Sequence, residues 1–387
     1  MKIRYVLSIV ASFLLLLAFS TLGLRPAAAQ AKALRAPLAA KAPNQAEWDA
    51  LVNNARKEGR VVIYGSGIGD TAGHLKKAFR ERYGLDLEFL QGRGAEIIER
   101  LFTERRAGLY VADAGIGGAT SFFNRILPAN IALPLEPMII LDEVKDPAKW
   151  RPGRIPYADD KKTIIGLVAS AIPCVTINSG IVRDAEITSY NDLLAPKWKG
   201  RIAMNDPTMS GMGLEWFGYM LLEAYGMEKG TEYMKKLAAQ EPVIVRDERI
   251  LVEWGARGKY HVLLGAKPTV VTSFMNTGAP LKFALVKEGG PMTSGALNLF
   301  AFDKAPHPHA TKLFVNWILG KEAGQIMNDT SGYPSERTDI SKTDFHPALL
   351  PSSKDVKGGS MGTGPYEVAK NDLTKVAAKI FKDILKQ

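Results

Sequence analysis

The stretch VVIYGSG at residues 61–67 decides the fold class, because it joins a short apolar run to a glycine-bearing turn. A helix is predicted after it, since Leu75, Phe79 and Tyr83 recur at helical spacing. The same order of apolar run, glycine-bearing turn and helical pattern returns at residues 85–102. Short strands that alternate with helices of this length are typical of a parallel sheet in an α/β domain.

A second α/β unit follows two apolar extended runs at residues 164–168 and 172–177. Further strands are predicted at residues 201–204, 243–245 and 262–264, with helical patterns between them. We interpret the chain as an α/β protein of two lobes, in which the second is inserted into the first and two crossing segments act as a hinge. The predicted boundaries are residues 47–168 plus 288–387 for lobe 1 and residues 169–287 for lobe 2.

Residues 1–29 predict a secretory signal peptide. Lys2 and Arg4 precede a long apolar stretch, and small residues at the spacing that a signal peptidase accepts end at Ala29. Cleavage near Ala29 would leave an exported protein. An uncleaved membrane anchor is the alternative interpretation, because about 20 apolar residues span a bilayer. Residues 30–46, which are rich in Ala, predict a disordered linker.

The excess of positive charge lies ahead of the predicted globular body. The chain has 50 Lys plus Arg and 40 Asp plus Glu, a formal net charge of +10. Six of the basic residues and none of the acidic ones lie in residues 1–46, so the remaining residues carry 44 basic against 40 acidic side chains. The body has no dense basic run with interleaved aromatics, which binding to a phosphate backbone requires. We therefore expect no nucleic-acid partner.

The only cysteine, Cys174, cannot form an internal disulfide bond. An exported protein with one cysteine must be held together by packing alone. Cys174 lies in the apolar run at residues 172–177, which predicts a buried and unreactive thiol rather than a nucleophile.

Five motifs, in this order along the chain, resemble those of the extracellular solute-binding proteins of ABC importers. The resemblance is to the family 1 group with the type 2 periplasmic-binding fold, which includes ferric-ion, polyamine, thiamine and sugar-phosphate binders. The motifs extend over nearly the whole chain after the leader. They lie at residues 61–67, 100–104 with 112–114, 198–203, 206–208 with 210–211, and 306–310 with 314–318.

The resemblance implies a monomeric periplasmic protein that closes two lobes on a small solute and delivers it to ABC permease subunits at the inner membrane. It implies neither enzymatic activity nor a cofactor. Ferric-binding members carry adjacent tyrosines after a strand of the second lobe, because phenolate oxygens suit a hard trivalent cation. The corresponding segment, GAKPT at residues 265–269, has no tyrosine, which disfavours iron. Polyamine binders are expected to show acids and aromatics, whereas the glycine-bearing turns here contain Arg and Ser.

Three turns, at residues 65–67, 92–94 and 210–213, are predicted to hold the solute. The reason is that ligands of open α/β sheets bind outside the carboxyl ends of the strands. Small residues ahead of a helix let backbone N–H groups and a Ser hydroxyl face an anion. A guanidinium can grip a carboxylate or phosphate in a bidentate fashion. The sequence therefore predicts a small anionic solute, for example a phosphate ester or a carboxylate. The predicted ligand-binding residues are Ser66, Gly67, Arg93, Gly94, Ser210, Gly211, Met212, Arg246 and Lys267.

Structural roles compete with these predictions. Ser66 and Ser210 are equally suited to cap the helices that follow them, and Arg93 to occupy a solvated loop. His307 and His309 flank a proline directly ahead of a helical pattern, so we interpret them as a helix-entry turn and predict no metal site.

Four alternatives to the predicted function remain open. Two belong to the same family, a ferric-ion binder and a thiamine binder. The others are a two-lobed enzyme and a sensory module that hands its closed form to a membrane receptor, because one fold can host several functions.

Overall fold

The computed structural model describes residues 44–209, 211–293, 297–351 and 364–382. The predicted signal peptide, most of the predicted linker and Ser210 lie outside these residues. The first helix begins at Gln45, two residues before the predicted start of the body, because the Asn44 side chain accepts hydrogen bonds from the N–H groups of Ala46 and Glu47. The last two residues of the predicted linker are therefore helical.

Strands and helices alternate along most of the described chain. The strands are β1 (Arg60–Gly65), β2 (Asp86–Gln91), β3 (Ala114–Gly117), β4 (Ala132–Leu133), β5 (Ile165–Gly166), β6 (Ser170–Ala171), β7 (Val175–Asn178), β8 (Ile202–Asn205), β9 (Val243–Val245), β10 (Val262–Leu264), β11 (Leu281–Phe283), β12 (Met292–Thr293) and β13 (Asn298–Phe302). The α-helices are α1 (Gln45–Glu58), α2 (Thr71–Tyr83), α3 (Gly94–Arg106), α4 (Ala119–Ser121), α5 (Asp142–Lys145), α6 (Met212–Tyr219), α7 (Met227–Ala238), α8 (Glu248–Ala256), α9 (Pro268–Asn276), α10 (Pro308–Leu319), α11 (Lys321–Thr330) and α12 (Gly364–Ile380). Two π-helical turns (Phe122–Ile126 and Met220–Ala224) continue α4 and α6, and 3-10 turns lie at Glu136–Met138, Pro147–Lys149, Asp184–Glu186, Tyr190–Leu194, Pro196–Trp198 and Pro347–Leu349.

The first sheet has the strand order β2-β1-β3-β13-β4, and β5 also pairs with β13. β1 is parallel to β2 and β3, whereas β13 is antiparallel to β3. The predicted parallel arrangement at the start of the chain is thus confirmed. We call this sheet and the helices that follow its strands the first lobe.

The sequence pattern of residues 110–116 predicts a third strand that starts at Tyr110, whereas the observed strand begins at Ala114. The buried Asp113 carboxylate accepts the N–H of Val62 at 2.8 Å, and the Asp113 N–H donates to Val62 O at 2.9 Å. An oxygen of the Asp113 side chain thus accepts the hydrogen bond that a backbone carbonyl would accept in a regular β ladder. Regular pairing of β3 with β1 therefore starts one residue later, at Ala114.

Asp113 also accepts the backbone N–H of His307 at 2.8 Å and lies 2.9 Å from Nδ1 of the same residue. Pro308 follows as the first residue of α10. The predicted helix-entry turn is therefore confirmed. Burial raises the pKa of Asp113, while the hydrogen bonds from Val62 and His307 oppose this shift.

The second sheet has the order β11-β7-β10-β8-β9, in which β10, β8 and β9 are parallel. We call this sheet and the helices that follow its strands the second lobe. The chain leaves the first sheet through β6 and returns through β12, and these two strands pair antiparallel. The sequence predicted two crossing segments without giving their residues, and this ribbon supplies them.

The segment after β13 contacts both sheets, since α10 packs against β1 of the first sheet. Leu349 belongs to a buried cluster with Leu281 and Phe283 of the second sheet. Leu373 and Ala377 of α12 lie in another cluster with residues of β7, β8 and β10. The boundaries at residues 168/169 and 287/288 stay a prediction. Among the described residues, no helix is long and apolar enough to span a bilayer.

Cys174 is 3% exposed, and its thiol lies 3.5 Å from the carbonyl oxygen of Ile172. The predicted burial is confirmed. Burial also raises the pKa of this thiol, so the nucleophilic thiolate is scarce at neutral pH.

We predict that Cys174 resists alkylation by iodoacetamide at pH 8 in the folded protein and reacts readily in urea. Mass spectrometry of the alkylated fraction measures both rates. Equal rates in the two states would contradict a buried, protonated thiol.

We predict that Gly115→Ala lowers the free energy of unfolding by about 1–3 kcal/mol, because it overpacks the first sheet. A Cβ at Gly115 would lie 2.1 Å from the Phe300 ring. That ring is packed between Phe122 and Phe302, at centroid distances of 5.2 and 5.6 Å. Urea unfolding measures the loss.

Gly118→Ala is the control for this substitution, because a Cβ at Gly118 meets no atom within 4 Å. A similar cost for both substitutions would show that the Phe300 contact is not the cause.

Candidate functional site

Ser66 lies where β1 and β3 end, at the carboxyl edge of the first sheet. Its backbone N–H donates to Ile116 O at 3.0 Å, which holds the turn after β1 against β3. Ser66 does not cap a helix: α2 follows Asp70, and no side chain caps its first turn. The capping role considered for Ser66 is therefore wrong, because the turn places five residues between β1 and α2.

Small residues surround the Ser66 hydroxyl. A Cβ at Gly117 would lie 3.3 Å from Ser66 Oγ, and a Cβ at Gly94 would lie 3.6 Å from that atom and 3.3 Å from Ser121 Oγ. Among the described residues, neither of these two hydroxyls has a hydrogen-bond partner. Gly94 is the first residue of α3, and no side chain caps this helix. Two hydroxyls therefore lie beside the N-terminal end of a 13-residue helix, whose first N–H groups have no side-chain cap.

A small recess of about 10 Å³, roughly the space that one water molecule needs, lies beside Ser66 between α3 and β13. Its walls are mostly apolar. Tyr64 on one side donates a hydrogen bond to Glu104 Oε2 at 2.5 Å. Burial and this carboxylate raise the pKa of Tyr64 to about 12, so its phenol stays neutral. The lining residues are Tyr64, Ser66, Gly94, Ile97, Ile98, Leu101, Ile116, Gly117, Gly118, Ser121, Phe300 and Phe302.

The other predicted residues of the first lobe face solvent. The Arg93 side chain is 88% exposed and lies 3.8 Å from the Glu96 carboxylate. Gly67 is exposed with φ of +73°, a left-handed conformation that favours glycine at this turn. The structure thus brings Ser66 and Gly94 together and leaves Arg93 at the rim.

At the carboxyl edge of the second sheet, Asp206 organises the loop after β8. Its buried carboxylate accepts hydrogen bonds from the Thr208 N–H at 2.9 Å and the Thr208 hydroxyl at 2.6 Å. It also accepts Arg246 Nε at 3.2 Å, although the Arg246 side chain remains 75% exposed. Sequence analysis placed Asp206 in a motif but did not identify its partner, since the two residues are 40 positions apart.

The start of α6 approaches β8 closely. The Gly213 N–H donates to Asn205 Oδ1 at 2.9 Å, and a Cβ at Gly213 would lie 2.3 Å from Asn205 O. Gly211 precedes this helix and Met212 is its first residue, both partly buried. The close approach explains why glycine is needed at position 213.

Lys267 immediately precedes α9, at the end of β10. Burial raises the pKa of Glu248, the first residue of α8, and the nearby Lys267 charge opposes the shift. Both predicted cations of the second lobe therefore have an acidic neighbour. Sequence reasoning missed Glu248 and Ser121, because no motif marks either of them.

The sequence predicts no metal site at His307 and His309, and the structure locates both side chains. Within the described part of the chain, no group of three or more His, Cys, Asp or Glu side chains could hold a metal ion. His309 pairs with Glu58 at 2.7 Å and His307 with Asp113, so the two imidazoles have separate carboxylate partners.

Solved structures of periplasmic binding proteins share this fold. The Trichodesmium protein IdiA (FutA), in complex with iron and citrate, is 18% identical with a TM-score of 0.65, and the match covers 83% of this chain and 99% of that one. Iron-bound HitA from Pseudomonas aeruginosa is also 18% identical, with a TM-score of 0.63 and the same coverage of 83% and 99%. AfuA from Actinobacillus pleuropneumoniae, with bound fructose-6-phosphate, is 20% identical with a TM-score of 0.58, covering 84% and 98%. These similarities confirm the predicted two-lobed α/β fold of the type 2 periplasmic-binding class.

A comparison with curated protein sequences gives no match. Residues 74–350, which include most of both sheets, match the family described as bacterial extracellular solute-binding protein. This match covers more than half of the chain and agrees with the resemblance found in the sequence motifs. The chain therefore belongs to the bacterial extracellular solute-binding protein family.

Proposed function

We propose that this protein is the periplasmic solute-binding component of an ABC importer, which captures a small anionic solute between its two lobes. The lobes close around the solute because its contacts to both stabilise the closed form. The solute is released unaltered to permease subunits at the inner membrane. The family and the sequence motifs support this role.

The carboxyl edge of the first sheet carries the proposal of an anion. The hydroxyls of Ser66 and Ser121 and the first N–H groups of α3 all offer hydrogen-bond donors around Gly94 and Gly117. The positive end of the α3 dipole adds to this preference. An oxyanion would be accommodated here because glycine leaves room beside both hydroxyls.

The second lobe supplies the opposing contacts. Asp206 accepts from Nε of Arg246, and within the described residues no acceptor is paired with the two terminal nitrogens. Those nitrogens can bind a carboxylate or phosphate in a bidentate fashion. Asp206 holds the guanidinium in place, while Lys267 adds a second cation. Since Asp206 and Glu248 offset these charges, hydrogen-bond geometry rather than net charge must select the solute.

Iron is the main competing cargo, because two of the similar structures contain it. In this chain the Tyr64 phenol is neutral and already donates to Glu104. The proposal therefore favours phosphate esters and carboxylates over a ferric ion bound through phenolates.

A thermal-shift screen of the mature protein tests the class of solute. Phosphate esters and carboxylates are expected to raise the unfolding temperature, since a ligand at 100 times its Kd adds about 2.7 kcal/mol to stability. The comparison arms are ferric citrate, citrate alone, thiamine and spermidine. A shift with ferric citrate but not with citrate alone would contradict the anion proposal.

Arg246→Met is expected to weaken binding of the best anion from this screen by about tenfold to a hundredfold, because a charge-assisted contact is lost. Isothermal titration calorimetry measures the Kd. Arg257→Met is the matched control, since Arg257 is equally exposed at 75% and pairs with Glu253 on the same lobe. Unchanged affinity in Arg246→Met would remove this residue from the site.

A further inference from the structure

Helix α12 contacts helices of both lobes. α4 and the π-helical turn after it follow β3 of the first sheet, whereas α6 follows β8 of the second. α12 packs against α4, that turn, α6 and α7. It therefore provides a connection between the lobes in addition to the β6–β12 ribbon.

The C-terminal half of α12 is anchored in the second lobe. Leu373, Ala377 and the following Phe381 belong to the same buried cluster as Trp216 and Phe217 of α6. The rings of Phe381 and Phe217 have centroids 6.3 Å apart. Apolar packing thus holds this half of α12 against α6.

The N-terminal half of α12 carries a buried ion cluster. Lys370 Nζ lies 2.6 Å from Glu215 Oε1 and 2.9 Å from Glu367 Oε2. The Lys370 and Glu367 side chains are each 4% exposed, and that of Glu215 is 13% exposed. Thr120 Oγ1 donates to Glu367 Oε2 at 2.5 Å, and Lys370 Nζ donates to Thr120 Oγ1 at 3.3 Å.

This cluster joins the two lobes at their carboxyl edges. Thr120 lies in α4, directly after β3, and Glu215 lies in the first turn of α6, after β8. Buried charges lose hydration, and the loss is offset only while ammonium, carboxylates and hydroxyl stay in contact. Since Thr120 and Glu215 belong to different lobes, all these contacts exist together in only one relative placement of the lobes.

We propose that Thr120, Glu215, Glu367 and Lys370 form an interlobe latch, which sets the relative placement of the lobes before a solute binds. The inference rests on the proposed function, because it assumes that the two lobes move relative to each other. A weaker latch lowers the population of the latched placement, and solute affinity changes with the fraction of molecules that is competent to bind.

The test measures the distance between the lobes in the free protein. Spin labels on Lys77→Cys of α2 and Lys236→Cys of α7, both exposed positions, report one distance across the lobes. Cys174 is buried and stays unlabelled in the folded protein. Double electron–electron resonance then gives the distribution of distances for the parent and for each latch variant.

We expect Lys370→Met to lower the population at the parent distance, relative to all other distances, by about tenfold, because both carboxylates lose the ammonium that pairs with them. Thr120→Val removes one hydroxyl and is expected to lower it by about threefold. The matched control is Lys375→Met, on the same helix, whose ammonium is 83% exposed and pairs with Asp372 at 3.4 Å. The control should reproduce the parent distribution.

Parent-like distributions in both Lys370→Met and Thr120→Val would overturn the latch and leave the cluster as a stabiliser of the fold. If circular dichroism shows that Lys370→Met loses helix α12, Thr120→Val alone decides, because it changes α4 and not α12. The measurement contains no solute, so a screen that finds no anion would refute the proposed function without affecting this result.

Discussion

A single buried residue, Asp113, holds β1, β13 and the start of α10 at the point where the pairing of β3 begins. Asp113 accepts the N–H of Val62 in β1 and that of His307 ahead of α10, and its carbonyl oxygen accepts the N–H of Phe302 in β13. A buried carboxylate without hydrogen-bond partners would destabilise the folded state. The partners of Asp113 must therefore keep their positions relative to one another. The register of β1, β3 and β13 follows from them, and with it the position of Gly117 beside Ser66.

The candidate site depends on this register and on glycines, which leave space beside the Ser66 hydroxyl because they have no side chain. Phe300 of β13 lies directly against Gly115 of β3, which leaves no space for a methyl group there. One pleat further along, Gly117 faces Ser66, and Gly94 separates Ser66 from Ser121. The chain thus combines a densely packed aromatic core with an edge where backbone and hydroxyl donors remain accessible. This arrangement suits a site that must receive a solute and release it.

Among the described residues, two connections between the lobes differ in their physical nature. β6 and β12 form a short backbone ribbon, which can bend, whereas α12 links the lobes through buried charges and apolar packing. A ribbon that can bend, combined with a specific ion cluster, favours a few defined placements of the lobes over a continuous range of placements.

Periodicity determined much of the fold. It located β1, α2 and the strands β7 to β10 of the second sheet, because apolar residues recur with the period of the element that buries them. It misplaced the start of β3, since the Asp113 side chain replaces a ladder bond and no local pattern encodes that exchange.

Sequence alone therefore determined the fold class, the family resemblance, the burial of Cys174 and the turns at the carboxyl edges of the sheets. Tertiary structure decided which residues meet: Gly94 with Ser66 and Ser121, Asp206 with Arg246, and Lys370 with Glu215 across the lobes. The physical reason is that hydrophobic periodicity is a local property of the chain, whereas these contacts join residues that are distant in sequence. Such contacts exist only after both sheets have packed.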